Sequence, residues 1–207
     1  MSRTFFSADP HYGHGNIVKY CKRLQFCTDT EKAAILSLDA IIDKQAKHQA
    51  QRELRISPET VNRMNETMVN NWNAVVSPND TVYLLGDLCF PKQDWTKWLA
   101  RLQGRVIWIH GNHDAYNQHN REKLMDINVE GQEITLCHYS MRVWKNSCHG
   151  AWCLYGHSHN TLPPLGLSMD VGVDCNDFKP YSFEEVKAIM NERLRTLSKC
   201  DLGMVGD

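Results

Sequence analysis

The chain has 207 residues, enough to bury the core of one domain. Its formal net charge of −1 excludes a protein that coats nucleic acid through a strongly basic face, but leaves nucleic acid open as a substrate. The eight cysteines include no Cys-x-x-Cys pair and several lie inside apolar runs, which excludes a disulfide-stapled scaffold and predicts reduced thiols.

The opening residues run straight into Ser7 and Asp9 without the apolar segment of a secretory signal, and no stretch approaches the length of a membrane span. The expected setting is a reducing cytoplasm, with no membrane partner. Residues 4–8 read as a short buried strand that stops at Asp9-Pro10. The loop that follows, Asp9-Pro10-His11-Tyr12-Gly13-His14-Gly15-Asn16, is dense in glycine and polar side chains. Loops in that position carry the chemistry of open α/β sheets.

From Ile17 to about Val76 the pattern is helical. Ala33, Ile35, Leu36, Leu38, Ile41 and Ile42 form an amphipathic piece that fades into a polar run at 44–55, so residues 28–56 are the candidate excursion or lid of a single 1–207 domain. A better helix follows, with Ser57 to cap it, Pro58 in its first turn, and a core-facing stripe of Val61, Met64, Met68, Trp72 and Val75. Residues 81–85 are a second strand closing in Gly86-Asp87, 94–102 a short helix, and 106–109 a third strand running into Gly111-Asn112-His113-Asp114. Residues 126–129 and 133–137 read as a hairpin about Glu130-Gly131-Gln132 that delivers His138. Residues 151–155 deliver Gly156-His157, 167–173 form another strand, and Tyr181-Ser182-Phe183-Glu184-Glu185 opens a last helix with Val186, Ile189, Met190, Leu194 and Leu197 inward. The tail after Cys200 is expected to fray.

Five apolar runs thus end in Asp9-Pro10-His11, Gly86-Asp87, Gly111-Asn112-His113-Asp114, His138 and Gly156-His157-Ser158-His159. Taken singly, an Asp after a strand is a turn former and a His in an apolar run a satisfied core residue. Five together have a chemical meaning. Hydrolysing a phosphate ester requires neutralising an anion that repels nucleophiles and making hydroxide available near neutral pH, and two divalent ions about 3.5–4 Å apart do both. Such a pair needs mixed oxygen and imidazole ligands with a carboxylate able to bridge, which these strand ends supply.

In order, these motifs resemble the five signatures of the calcineurin-like metallophosphoesterases, over residues 9–159. The wording Asp9-Pro10-His11-Tyr12-Gly13-His14-Gly15-Asn16-Ile17 and His138-Tyr139-Ser140-Met141 is similar to small bacterial and phage members of that superfamily. The resemblance implies an α/β (α+β) fold, a four-layer α-β-β-α sandwich with two mixed sheets face to face and flanked by helices. It implies two divalent metal ions, Mn²⁺ foremost, with Fe, Ni, Zn or Co accepted by the same ligands. Asp9, His11 and His159 would hold the first and Asn112, His138 and His157 the second, with Asp87 bridging. A metal-bridging hydroxide would attack phosphorus, His113 would protonate or stabilise the leaving oxygen, and Asp114 would orient His113. His14, Asn16 and Arg142 are candidate substrate contacts, while His110 and Cys89 are expected to be structural.

Departures from the pattern narrow the subfamily. Protein Ser/Thr phosphatases follow the second motif with Asp-Arg-Gly, where this chain has Leu88-Cys89-Phe90-Pro91; purple acid phosphatases place a Tyr ligand where Phe90 stands. The favoured activity is a phosphodiesterase acting on a nucleotide, a nucleic-acid end or another small phosphate ester. The alternatives are a phosphomonoesterase on a small metabolite, a sequence-tolerant nuclease using Lys44, Lys47, Arg52 and Arg55, and a metal-dependent binding module whose catalysis has lapsed.

Overall fold

The computed structural model describes residues 2–197; the tail expected to fray lies outside them. The fold is organised around β1 (Thr4–Ser7), whose alternating side chains enter two different cores, Phe5 into one and Phe6 into the other. Parallel strands β2 (Thr81–Leu85) and β3 (Arg105–Ile109) extend the sheet on one side. A second sheet is built from β4 (Leu124–Val129), β5 (Gln132–Cys137), β6 (Trp152–Tyr155) and β7 (Ser168–Asp170), paired in that order. Its first pair is antiparallel and the others parallel. The β4–β5 turn is the two residues Glu130 and Gly131, both at positive φ (51° and 87°), the backbone that suits a tight hairpin. The two-residue β8 (Tyr181–Ser182) pairs antiparallel with β1 and completes the first sheet in the order β3-β2-β1-β8.

Phe6, Ala8, Leu85 and Ile109 of the first sheet share one core with Leu136, Leu154, Tyr155 and Met169 of the second. The other face of the first sheet, with Phe5, Val82, Leu84 and Trp108, is covered by helices. Four of these lie between β1 and β2, where a parallel crossover demands them: α1 (Gly15–Tyr20), α2 (Asp29–Ser37), α3 (Lys44–Glu53) and α4 (Pro58–Val75). In α4, Ser57 accepts from the Thr60 amide, and Met64, Met68, Val69 and Trp72 are buried at helical spacing. Burying each such side chain stabilises the fold by about 1.5–3 kcal/mol. The short α5 (Trp95–Leu99) stacks Trp98 on Tyr12 at 4.7 Å.

Residues 28–56 are fastened at both ends. Glu31 caps α2 and takes the Ser57 amide at 2.7 Å and the Thr60 hydroxyl at 2.6 Å, while Lys19 donates to the Leu54 carbonyl at 2.7 Å. Between these anchors, α3 buries no side chain.

The last helix, α6 (Phe183–Thr196), opens on a reciprocal cap between Ser182 and Glu185 and buries Phe183, Val186 and Met190. Leu194, expected inward, is 48% exposed: Leu197 beyond it packs against the core, while at this turn the neighbouring Arg193 reaches the Ser168 carbonyl. The strand expected over 167–173 is also shorter, because Asp170 accepts the Gly172 amide and bends the chain into a turn at Val173–Cys175.

The two sheets touch at their ends. Ala8 pairs with Gly172, and Gly156 approaches so closely that a Cβ there would lie 2.5 Å from that of Ala8. The loops leaving β1 and β2 run side by side, with Asp9, His11 and Tyr12 amides donating to Gly86, Asp87 and Leu88 carbonyls at 3.1, 3.1 and 2.9 Å.

Candidate metal centre

Every loop of interest leaves the same end of a strand. Asp9 and His11 follow β1, Asp87 follows β2, Asn112 and His113 follow β3, His138 follows β5, and His157 and His159 follow β6. Two ligand groups result. Asp9, His11 and His159 bring ligand atoms within 4.8 Å of one another, and so do Asp87, His138 and His157. Asn112 joins the second group, its Oδ1 lying 2.8 Å from His138 Nε2. Asp87 stands between them, with Oδ2 at 3.5 Å from both His11 Nε2 and His138 Nε2.

The backbone is bent to achieve this. Asp9, His11, Asp87, His157 and His159 all have positive φ, between 45° and 68°. Left-handed backbone in non-glycine residues is costly and gathers where a site dictates side-chain aim. Gly111, by contrast, is glycine for room: a Cβ there would collide with Asp87 Oδ1 and the Asp87 amide.

The polar atoms left over fit a cation. Asp9 Oδ1 and both ring nitrogens of His11 are buried without a hydrogen-bond partner. His138 meets the Leu85 carbonyl at 2.8 Å through Nδ1, which leaves Nε2 as an electron-pair donor facing Asn112. An unpaired buried carboxylate oxygen costs several kcal/mol in a dry interior, an arrangement that a divalent ion relieves.

Residues 64–165 match the model of the calcineurin-like phosphoesterase superfamily domain, a span that contains Asp87, Asn112, His138, His157 and His159. Just under half of the chain is thus similar to the calcineurin-like phosphoesterase superfamily domain. It is 27% identical over 202 residues to an uncharacterized protein of Methanocaldococcus jannaschii, a match covering 93% of each chain. It is 31% identical over 129 residues to the Gene 66 protein of Mycobacterium phage L5, covering 59% of this chain and 44% of that one. A crystal structure of a protein of unknown function from Aquifex aeolicus shares the fold, at a TM-score of 0.56 and 20% identity over 91% of this chain and all of that one. A calcineurin-like phosphoesterase domain points to metal-dependent hydrolysis of phosphoesters.

Charge in this centre is skewed. Burial, reinforced by Asp87 and Asp170, pushes the Asp9 carboxyl well above its usual range. Burial also pulls His11 and His138 down, so both imidazoles are neutral, the form that ligates metal. His14 sits beside His11 at 5.4 Å between ring centres and is drawn down to about 4 by burial and by His113. His113 is exposed, 5.4 Å from the His11 ring, and its amide donates to Asp87 Oδ1 at 2.8 Å.

Asp114 does not orient His113. Its Oδ2 accepts the Asp87 and Gly111 amides, each at 2.9 Å, and the Trp108 indole at 3.0 Å, and its Oδ1 accepts the Leu88 amide at 2.9 Å. With both oxygens committed, the carboxylate locks the β2 and β3 loops together and so places Asp87. Asn16 and Arg142 are both exposed, Asn16 in the first turn of α1 and Arg142 in the loop after β5. His110 belongs to neither ligand group and lies against Tyr116, and Cys89 is a buried thiol.

Three functional supports carry little signal in sequence. Asp174 meets His159 Nδ1 at 2.7 Å, which turns the other ring nitrogen toward the first ligand group. Arg23, 1% exposed, grips both Asp174 oxygens at 2.8 Å and also donates to the Asp9 and Pro10 carbonyls at 2.9 and 3.0 Å. On the other side Asp170 takes the Ser158 hydroxyl at 2.6 Å and the Asn160 amide at 3.0 Å, shaping the turn that carries His157 and His159.

Proposed function

We propose that the protein hydrolyses phosphate esters, phosphodiesters foremost, with one divalent ion held by Asp9, His11 and His159, a second by Asn112, His138 and His157, and Asp87 shared between them. The observation that carries this reading is Asp87 Oδ2, equidistant at 3.5 Å from an imidazole nitrogen of each group. Bound there, two such ions, Mn²⁺ or another of like preference, would supply an activated water and neutralise phosphoryl oxygens. The protein's own groups do the rest. Asp87 fixes the backbone of His113, whose exposed ring stands beside the first ligand group and holds a proton for the leaving oxygen. His14, neutral above about pH 4, offers the substrate a hydrogen bond without adding charge.

A diester is favoured over a monoester because the buried cation beside the centre is already paired. That guanidinium, Arg23, is consumed by Asp174 and two carbonyls, and the segment after Asp87 supplies apolar Leu88 and Phe90 where an Arg would grip a dianion. A reducing compartment such as the cytoplasm suits the seven described cysteines, all free, with Cys137 and Cys153 sulfurs 3.9 Å apart and unbonded. No helix among the described residues is long and apolar enough to cross a membrane.

The test is a Mn²⁺-reconstituted panel of monoester, diester, cyclic nucleotide and oligonucleotide substrates. Diester turnover is expected to be fastest, to vanish in Asp87→Ala, and to fall roughly tenfold or more in His113→Ala with both ions retained. A protein that binds two ions yet turns over none of these substrates would overturn the proposal.

A further inference from the structure

Two exposed aromatic rings stand against the imidazoles of the centre. Phe90 is 48% exposed, with its ring 4.9 Å from that of His14. Tyr139 is 53% exposed, with its ring 4.6 Å from His157 and 5.0 Å from His138. Neither ring belongs to an apolar core of the described residues, so core packing does not account for them. Both are nonetheless held in place. The Phe90 amide donates to the Tyr12 carbonyl at 2.8 Å, the Cys137 thiol donates to the Tyr139 carbonyl at 3.0 Å, and Tyr139 meets both imidazoles edge-on.

Their places relative to Asp87 differ. Phe90 leads to His14 at 4.9 Å, His14 to His11 at 5.4 Å, and His11 to Asp87 at 3.5 Å. From the other direction Tyr139 leads to His138 at 5.0 Å and His138 to Asp87 at 3.5 Å. One exposed aromatic ring therefore lies on the side of each ligand group, through His14 for the first and directly on His138 and His157 for the second, with Asp87 between the groups. A phosphorus atom over Asp87 would carry one ester substituent toward each ring. Water-exposed rings of this kind bind planar heteroaromatic groups by stacking, which is strong and tolerant of which base is present.

We propose that Phe90 and Tyr139 are a pair of base-stacking platforms flanking the scissile phosphate, and that the substrate is a nucleotide diester with a base on both sides of that phosphate. This rests on the phosphodiesterase reading above. A mononucleotide ester or a small aliphatic diester fills one platform or neither, and is the poorer substrate.

A thymidine dinucleotide with a single internal phosphodiester, and its doubly abasic counterpart, differ only in the bases. The Mn²⁺-loaded protein is expected to show a KM for the dinucleotide roughly a hundredfold below that for the abasic compound, with intermediate values when one base is missing. Phe90→Leu and Tyr139→Leu each remove about tenfold of that preference, and the double variant removes it; Phe90→Tyr and Tyr139→Phe, which keep the stacking faces, retain it. Equal KM values in the unaltered protein, or a preference that survives the double variant, overturn the platforms while leaving diester hydrolysis standing. If neither compound is hydrolysed, the phosphodiesterase reading fails, and equilibrium dialysis of the same compounds decides the platforms alone. Tighter binding of the dinucleotide that the double variant abolishes upholds them, and equal binding overturns them.

Discussion

At the scale of single residues, the centre is a set of side chains held against their own preferences. Asp9 combines left-handed backbone, complete burial and an oxygen without a partner. Asparagine tolerates that backbone and keeps an oxygen for the His157 amide, which Asp9 Oδ2 now accepts at 2.7 Å, but removes the buried charge. Asp9→Asn is therefore expected to raise the unfolding temperature of the chelator-treated protein by roughly 2–4 °C while lowering Mn²⁺ stoichiometry from two to one. A drop in metal-free stability would contradict this account of the charge. The ligand-type residues are legible in the sequence because each follows an apolar run directly. Asp174 follows such a run too, at 167–173, but Asp174-Cys175-Asn176 matches none of the five motifs. Asp114 misleads for a related reason: its sequence neighbour is His113, while its actual partners are mostly backbone amides, which have no signature in sequence.

At the scale of elements, the crossover between β1 and β2 serves the centre through Arg23, which leaves the turn after α1 next to Lys22 at φ 51°. Its significance depends on Asp174, 151 residues away, so no local pattern in the sequence announces it. Lysine keeps the charge but loses the planar fork that spans a carboxylate and two carbonyls. Arg23→Lys is expected to weaken one Mn²⁺ site about 10–100-fold in a calorimetric titration and to spare the other; equal weakening of both would refute a role confined to the first ligand group. The 28–56 excursion has its own fastening in Glu31, whose carboxyl is held down to about 2: the amides of Ser57 and Thr28 and the Thr60 hydroxyl outweigh the burial that opposes ionisation. Because the folded value is depressed, the stabilisation is complete above the ordinary value near 4.5 and is lost as pH falls toward 2. Glu31→Gln should cost about 1–3 kcal/mol at neutral pH and speed hydrogen exchange across 28–57, leaving the buried face of α4 protected. Unchanged exchange there would show that other contacts hold the excursion.

For the molecule as a whole, the two ligand groups join the sheets. Asp9 and His11 from the first sheet meet His159 from the second, and Asp87 and Asn112 from the first meet His138 and His157 from the second. Neither group is complete within one sheet, so ion binding and sheet docking are linked equilibria. Mn²⁺ at a thousandfold excess over its dissociation constant is expected to stabilise the fold by about 4 kcal/mol, read as a rise in unfolding temperature that chelator reverses; bound ions with no such rise would uncouple the two. Strand order could not be read from the apolar runs, since which runs are neighbours is settled by the crossover helices and by the pairing of β8 with β1, where only two residues take part. One feature of that interior reaches the chemistry. Gly156 lets the second sheet close onto Ala8 and Asp9, and a single methyl at that point would have nowhere to go. The interval between the sheets works as a caliper, and the two ligand groups sit in its jaws. The approach of the two ligand groups is thus limited by the meeting of a glycine and an alanine in the core, two residues that offer no ligand at all.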